Sequence, residues 1–169
     1  MVSTPAGNRR RLAGRQIRRP TTRNESEVAR PTPQTRVADC KVIDLPRIPD
    51  RRGSLTVIEG EEHIPFPIRR AYWIYEVPGG EERAGHAYRT LHEFIVALSG
   101  SFDVLLDDGH ETRTVRLNRS YFGLHVRPGV WRTLTDFSTN AVALVLASSP
   151  FSEDDYLRDR DAFLRERGA

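Results

Sequence analysis

From Val42 onward the sequence is a succession of short apolar runs cut by turn residues, and no helix-period segment alternates with them. "KVIDL", "LTVIE", "RAYWIYEV", "EFIVALSG", "SFDVLLDDG", "TRTVRLN", "YFGLHV" and "NAVALVLAS" are bounded by Gly, Pro, Asp and Asn. Runs of this length, rich in Val, Ile, Leu, Tyr and Phe, have the texture of β-strands. Parallel strands would need crossover helices between them, so a Rossmann-type fold is excluded. At least seven strands at this spacing predict an all-β protein, an antiparallel sandwich or barrel. Asp108–Gly109 between two runs is a hairpin signal, and Gly100–Ser101 reads in the same way.

One α-helix is expected, over about residues 153–167. Ser152 suits the N-cap, and Glu153, Asp154 and Asp155 suit the positive end of the helix dipole. Tyr156, Leu157, Phe163 and Leu164 form one apolar stripe, and Gly168 follows as a stop.

With 169 residues the chain has room for one domain. No apolar run approaches the roughly 18 residues of a membrane helix, which excludes an integral helical membrane protein. A single cysteine, Cys40, excludes an intrachain disulfide and a Cys-rich zinc site. It fits a reducing, cytoplasmic setting. The net charge of +3 divides unevenly. Residues 1–38 hold nine Arg and two Glu, a local +7, which leaves −4 for residues 39–169. The basic character therefore belongs to the tail, and the domain has no reason to seek nucleic acid or a membrane. The tail has four prolines and no apolar periodicity, so it reads as disordered, with residues 39–169 as the folded domain. Its open readings are a solvated tail, a transit-like peptide, a polyanion-binding arm and a segment upstream of the true start; it lacks the apolar stretch of a secretory signal.

The segment that carries chemistry is "GEERAGHAYRTLHEFIVALSG", Gly80 to Gly100. Side chains two apart on a strand share a face, so His86 and Tyr88 are expected to look together into the barrel mouth. Glu93 is an odd number of residues further on and joins them only if the chain bends first. This segment resembles the first motif of the cupin superfamily, with "GLHVRPGVWRTL" as the second. In metal cupins two histidines and a Glu of the first motif and a His of the second bind a divalent ion. Here Tyr88 takes the place of one His, and Trp131 stands near the last ligand. His86, Glu93, His125 and His92 remain as a possible set, but an organic active site without metal or cofactor is the expectation.

Taken together, "DRRGSLTVIE", "IPFPIRRAYWIYEV", "GHAYRTLHEFIVALSGSFDVLLDDG", "GLHVRPGVWRTLTDFS" and "ALVLASSPFSEDDYLRDRDAFL" resemble the sugar 3,4-ketoisomerases, the FdtA/QdtA-type, WxcM-like cupins. The resemblance runs from about Val42 to Leu164 and implies a cupin, or jelly-roll, β-barrel. It implies an isomerase that moves the ketone of a dTDP-4-keto-6-deoxy-hexose from C4 to C3 through an enediol, without a metal. It implies His86 as the catalytic base, Tyr72 in proton handling, and Arg83 beside the substrate. Arg52 corresponds to a nucleotide-facing arginine. Trp131 and Arg132 follow as candidates for the thymine or the phosphates, with Trp131 open to a core role. Tyr88 stands where the family carries a second His and becomes a candidate proton donor. Glu93 stands where Gln is common and is grouped with the substrate-binding residues. The resemblance also implies a homodimer with strand exchange. Because of Tyr88, a non-catalytic nucleotide-sugar-binding cupin that partners a transferase stands as the alternative.

Overall fold

The short apolar runs become strands, twelve in all, in a computed structural model that describes residues 34–169. In chain order these are β1 (Lys41–Asp44), β2 (Arg47–Asp50), β3 (Gly53–Thr56), β4 (Arg70–Ile74), β5 (Arg83–Tyr88) and β6 (Glu93–Ser99). They continue as β7 (Phe102–Asp107), β8 (Thr112–Leu117), β9 (Phe122–Val126), β10 (Trp131–Thr135), β11 (Val142–Ala147) and β12 (Tyr156–Leu157), before the helix α1 (Arg160–Arg167). The expectation of disorder for residues 1–33 lies outside the described residues.

Two five-stranded sheets face each other, ordered β1-β9-β6-β11-β4 and β12-β5-β10-β7-β8, and β2 and β3 form a separate hairpin. Every strand pairing is antiparallel. Ile95, Ala97, Leu124, Ala143 and Val145 meet Phe102, Val104, Leu106, Leu117 and Leu134 from the opposite sheet in the main core. The outer face of the first sheet carries a second cluster, in which Leu45, Ile64 and Phe66 cover Phe94, Val96 and Leu146. Gly123 is required there: a Cβ would stand 2.5 Å from the Phe94 ring and 2.7 Å from the Ile95 carbonyl.

Asp108 and Gly109 do turn a hairpin, between β7 and β8. The Asp108 carboxylate accepts the backbone N–H groups of His110 and Glu111, and Gly109 takes φ +89°. Gly100–Ser101 does something else. It carries the chain from β6 in one sheet to β7 in the other, so it is a corner between layers and not a hairpin.

The folded part begins earlier than residue 39. Val37 is buried in the main core, and its N–H donates to Asp108 at 2.9 Å. The C-terminal helix is shorter than expected. Glu153–Asp155 is a 3₁₀ turn, Tyr156–Leu157 is a strand, and α1 starts at an Asp159 cap. The diversion has two causes. Asp155 turns its carboxylate back to the N–H groups of Thr90 and Leu91, and β12 pairs with β5, Tyr156 opposite Tyr88. Long-range partners offered by the sheet edge replace the local hydrogen bonds that a first helical turn would have made.

Candidate active site

The two sheets part between β4, at the edge of one, and β5, next to the edge of the other. A cavity of about 420 Å³ opens there. β4 supplies Arg70, Tyr72 and Ile74; β5 supplies Arg83, Ala84 and His86; the segment after β11 supplies Phe151, Tyr156 and Arg158.

A bulge in β5 aims these side chains. Pairing with β10 shifts between Arg132↔His86 and Leu134↔Arg83, and Ala84 takes φ +72°. An extra residue breaks the strict alternation, which is how Arg83, Ala84 and His86 come to line one space. After Tyr88 the chain turns through residues 89–92 into the opposite sheet, the bend that Glu93 needed.

His86 is 8% exposed, and its Nε2 is buried without a hydrogen-bond partner. Burial pulls its pKa down to about 2, and the cations of Arg132, Arg158 and Arg70 add to the effect. The imidazole is therefore neutral at physiological pH, with an uncommitted ring nitrogen beside the cavity. Tyr72 donates its hydroxyl proton to Glu93 Oε1 at 2.6 Å. Burial first, and the Glu93 charge second, hold that phenol above its ordinary pKa. Its proton is committed inward, so the oxygen presents lone pairs to any ligand that reaches it.

Glu93 and Arg132 are brought together, but away from the cavity wall. Arg132 Nε and Nη2 donate to the two Glu93 carboxylate oxygens at 2.5 and 2.9 Å. Arg132 Nη1 donates to the carbonyls of Ala84 and His86, at 3.0 and 3.2 Å. Both side chains are almost fully buried. Burial alone would lower the Arg132 pKa; the Glu93 charge reverses this and holds it above the usual value. These two residues clamp β5 and position Tyr72; neither lines the space where a substrate would enter. Their expected place as substrate-binding residues is corrected accordingly: Glu93 is held by Arg132 and Tyr72, and Arg132 by Glu93 and the bulge carbonyls, behind the cavity wall.

Tyr88 shares the His86 side of the strand but sits deeper. It is 3% exposed, its hydroxyl has no partner, and it does not line the cavity. Its ring meets His86 edge-on at 5.0 Å and Tyr156 at 4.5 Å, and the Arg132 cation lies 4.9 Å from its centre. The expectation that Tyr88 looks into the mouth fails because Tyr156, delivered by β12, packs against it and His86 there. Trp131 points to the other side of its sheet, against Phe163 of α1 at 5.4 Å, which makes it a packing residue. Arg52 sits on the exposed β2–β3 turn, paired with Asp50 at 2.9 Å, and is absent from the cavity.

Seven cavity residues escaped the sequence reading as site residues: Arg70, Ala71, Ile74, Ala84, Phe151, Tyr156 and Arg158. Arg70 is notable because its Nε and Nη2 are buried without partners. Among the described residues nothing acidic lines the cavity, while Arg70, Arg83 and Arg158 do. A neutral base beside three cations is an arrangement suited to an anionic ligand and to proton transfer.

His86 and Glu93 do not form a metal set, since Glu93 is spent on Arg132 and Tyr72. His92 and His125 make a ring-to-ring contact of 2.9 Å beside Phe66, in the outer cluster. Among the described residues, three possible ligand groups converge only at Glu59, Glu62 and His63, outside the cavity.

Residues 38–168 match the model of a family described as FdtA: WxcM-like, C-terminal. The chain is 44% identical over 123 residues to TDP-4-oxo-6-deoxy-alpha-D-glucose-3,4-oxoisomerase of Aneurinibacillus thermoaerophilus, covering 73% of this chain and 88% of that protein. Among solved structures it is similar to QdtA, a sugar 3,4-ketoisomerase of Thermoanaerobacterium thermosaccharolyticum in complex with TDP. The TM-score is 0.77 at 36% identity, over 79% of this chain and 97% of that one. A His-to-Asn mutant of the same enzyme in complex with TDP-4-keto-6-deoxyglucose matches with a TM-score of 0.74 at 37% identity, over 76% and 93% of the two chains.

Proposed function

The chain belongs to the FdtA-type, WxcM-like C-terminal family, and from that premise we propose that it is an isomerase moving the ketone of a TDP-4-keto-6-deoxy-hexose from C4 to C3. The observation that carries this reading is His86: a neutral imidazole with a buried, unpartnered nitrogen at the wall of a cation-lined cavity.

The chemistry follows from the residues. Arg70, Arg83 and Arg158 take the diphosphate and the sugar oxygens, their planar donors suiting both. The incoming negative charge offsets the cations that depress His86, so its basicity rises as substrate binds. His86 then removes the proton from C3. The electron pair moves onto the C4 carbonyl, whose oxygen gains a proton and becomes one hydroxyl of an enediol. The C3 hydroxyl then gives up its proton, the electron pair returns to carbon, and C4 receives a proton; the ketone now stands at C3. Tyr72 accepts from the C3 hydroxyl, because Glu93 holds its own proton away from the substrate. Tyr88 backs the His86 ring and sets its plane.

The product serves the making of deoxy- or amino-sugars, glycans included, in the cytoplasm. No helix among the described residues is long and apolar enough to cross a membrane. The acidic balance of the domain gives it no affinity for nucleic acid or a membrane surface. The working form is a homodimer. β4 is a sheet edge that leaves Trp73 61% exposed. The β2–β3 hairpin stands apart with Ile48 and Leu55 exposed, and an isolated hairpin is marginal in water. A second copy would cover these surfaces; sedimentation showing only monomer at micromolar concentration would contradict it.

Incubation with TDP-4-keto-6-deoxyglucose, followed by proton NMR, tests the activity. The expected result is a new 3-keto sugar. Binding with full recovery of substrate would favour the non-catalytic alternative.

A further inference from the structure

Arg158 reaches the cavity from a segment that cannot easily move. Asp155 is fixed by Thr90 and Leu91, and Tyr156 and Leu157 are paired with β5. The Arg158 guanidinium lies 4.1 Å from the centre of the Tyr156 ring, the ring that packs on His86. Its Nε and Nη2 donate to the two carboxylate oxygens of Glu153 at 2.6 and 3.1 Å. Glu153 and Arg158 are both about half exposed, so this pair is open to solvent and to competition. Beside the same aromatic cluster, Arg70 lies 5.3 Å from the Tyr72 ring centre and 5.7 Å from that of Phe151, and its Nε and Nη2 are buried without a hydrogen-bond partner among the described residues. Arg70 is thus without a carboxylate partner among the described residues, and Arg158 has one that is not itself part of the cavity wall.

We propose that Arg158 is a substrate-binding residue that exchanges the Glu153 carboxylate for the ligand's diphosphate, holding that group together with Arg70. The inference rests on the nucleotide-sugar reading above and adds the residue and its regulation by Glu153. Only the Arg158 side chain has to move, since the backbone on its N-terminal side is pinned. Glu153 takes the Arg158 donors that a phosphate would take and must be displaced, so it weakens binding. A purely structural Glu153 would do the reverse: it would hold Arg158 ready, and its removal would weaken binding.

Calorimetric titration of the full chain with TDP, and separately with thymidine, distinguishes these. Glu153→Ala is expected to tighten TDP binding by about two- to five-fold, the range of an exposed ion pair. Arg158→Gln is expected to weaken TDP by about tenfold or more and to leave thymidine unchanged. The Glu153→Ala/Arg158→Gln double variant is expected to match Arg158→Gln alone, because Glu153 acts only through Arg158. Weaker or unaltered TDP binding in Glu153→Ala overturns the proposal, as does unaltered binding in Arg158→Gln. Wild-type protein that binds no TDP overturns the nucleotide-sugar reading itself, and the exchange with it.

Discussion

His86 has an environment that decides its protonation at every physiological pH. With its pKa pulled down to about 2 by burial and neighbouring cations, it does not charge near the ordinary imidazole value. The pH profile of kcat/KM, which reports the free enzyme, is therefore expected to show no acid limb around pH 6.5; a limb there that vanishes in His86→Asn would contradict this. Tyr88 is a residue on which structure and sequence diverge. Its hydroxyl is buried and unpartnered, so Tyr88→Phe removes an unsatisfied group and is expected to hold or raise stability by up to about 1 kcal/mol, with turnover within a few-fold. Thermal melts and steady-state rates check both, and a large loss of turnover would make Tyr88 the proton donor that its place in the motif suggested. Tyr72→Phe, which breaks the contact with Glu93, is expected to slow turnover more than Tyr88→Phe does.

At the scale of elements, the site depends on the β5 bulge and the β12 addition, and the buried Glu93–Arg132 pair clamps the first. Arg132→Met leaves the buried Glu93 carboxylate without its counter-charge, the Tyr72 hydroxyl its remaining donor, and is expected to cost about 3–5 kcal/mol, with Glu93→Leu/Arg132→Met recovering part of the loss. Urea denaturation of the three proteins reads this; equal stability of single and double variants would contradict it. The strands were legible because their apolar alternation and Gly/Asp punctuation are local. His86, inside the Gly80–Gly100 motif, and Tyr72, named through the family resemblance, both line the cavity. The helix start was not legible, because Ser152 and three acids make a good local cap while Asp155 is claimed by Thr90 and Leu91, more than sixty residues away. Arg70 and Arg158 were hidden for a different reason. Arg makes up 25 of the 26 basic residues, so residue type marks none of them, and only the fold separates a cavity cation from a solvated one. Arg52 and Trp131 show the converse, since a motif neighbour can face the wrong way.

Over the whole molecule, three buried or half-buried imidazoles couple stability to pH. His86 lies at about 2 and His125 at about 4. His92 is lowered as well, by burial first and Arg127 second. All three fall below the unfolded value near 6.5. Between that pH and the folded values the unfolded chain binds protons that the native chain does not, so stability falls as pH drops from about 6.5 toward 4. Tm is expected to decline over that window, and less steeply in a His92→Asn/His125→Asn variant; an unchanged slope would assign the decline to carboxylates. These linkages are secondary to the central claim, that a neutral His86 takes the C3 proton. The direct measurement is solvent exchange in deuterium oxide with TDP-4-keto-6-deoxyglucose, comparing wild type with His86→Asn. The wild type is expected to form the 3-keto product with deuterium at C4. His86→Asn is expected to bind TDP within a few-fold of wild type and to lose C3 exchange and isomerisation by a factor on the order of 10²–10⁴. C3 exchange at the wild-type rate in His86→Asn would place the base elsewhere and contradict the account.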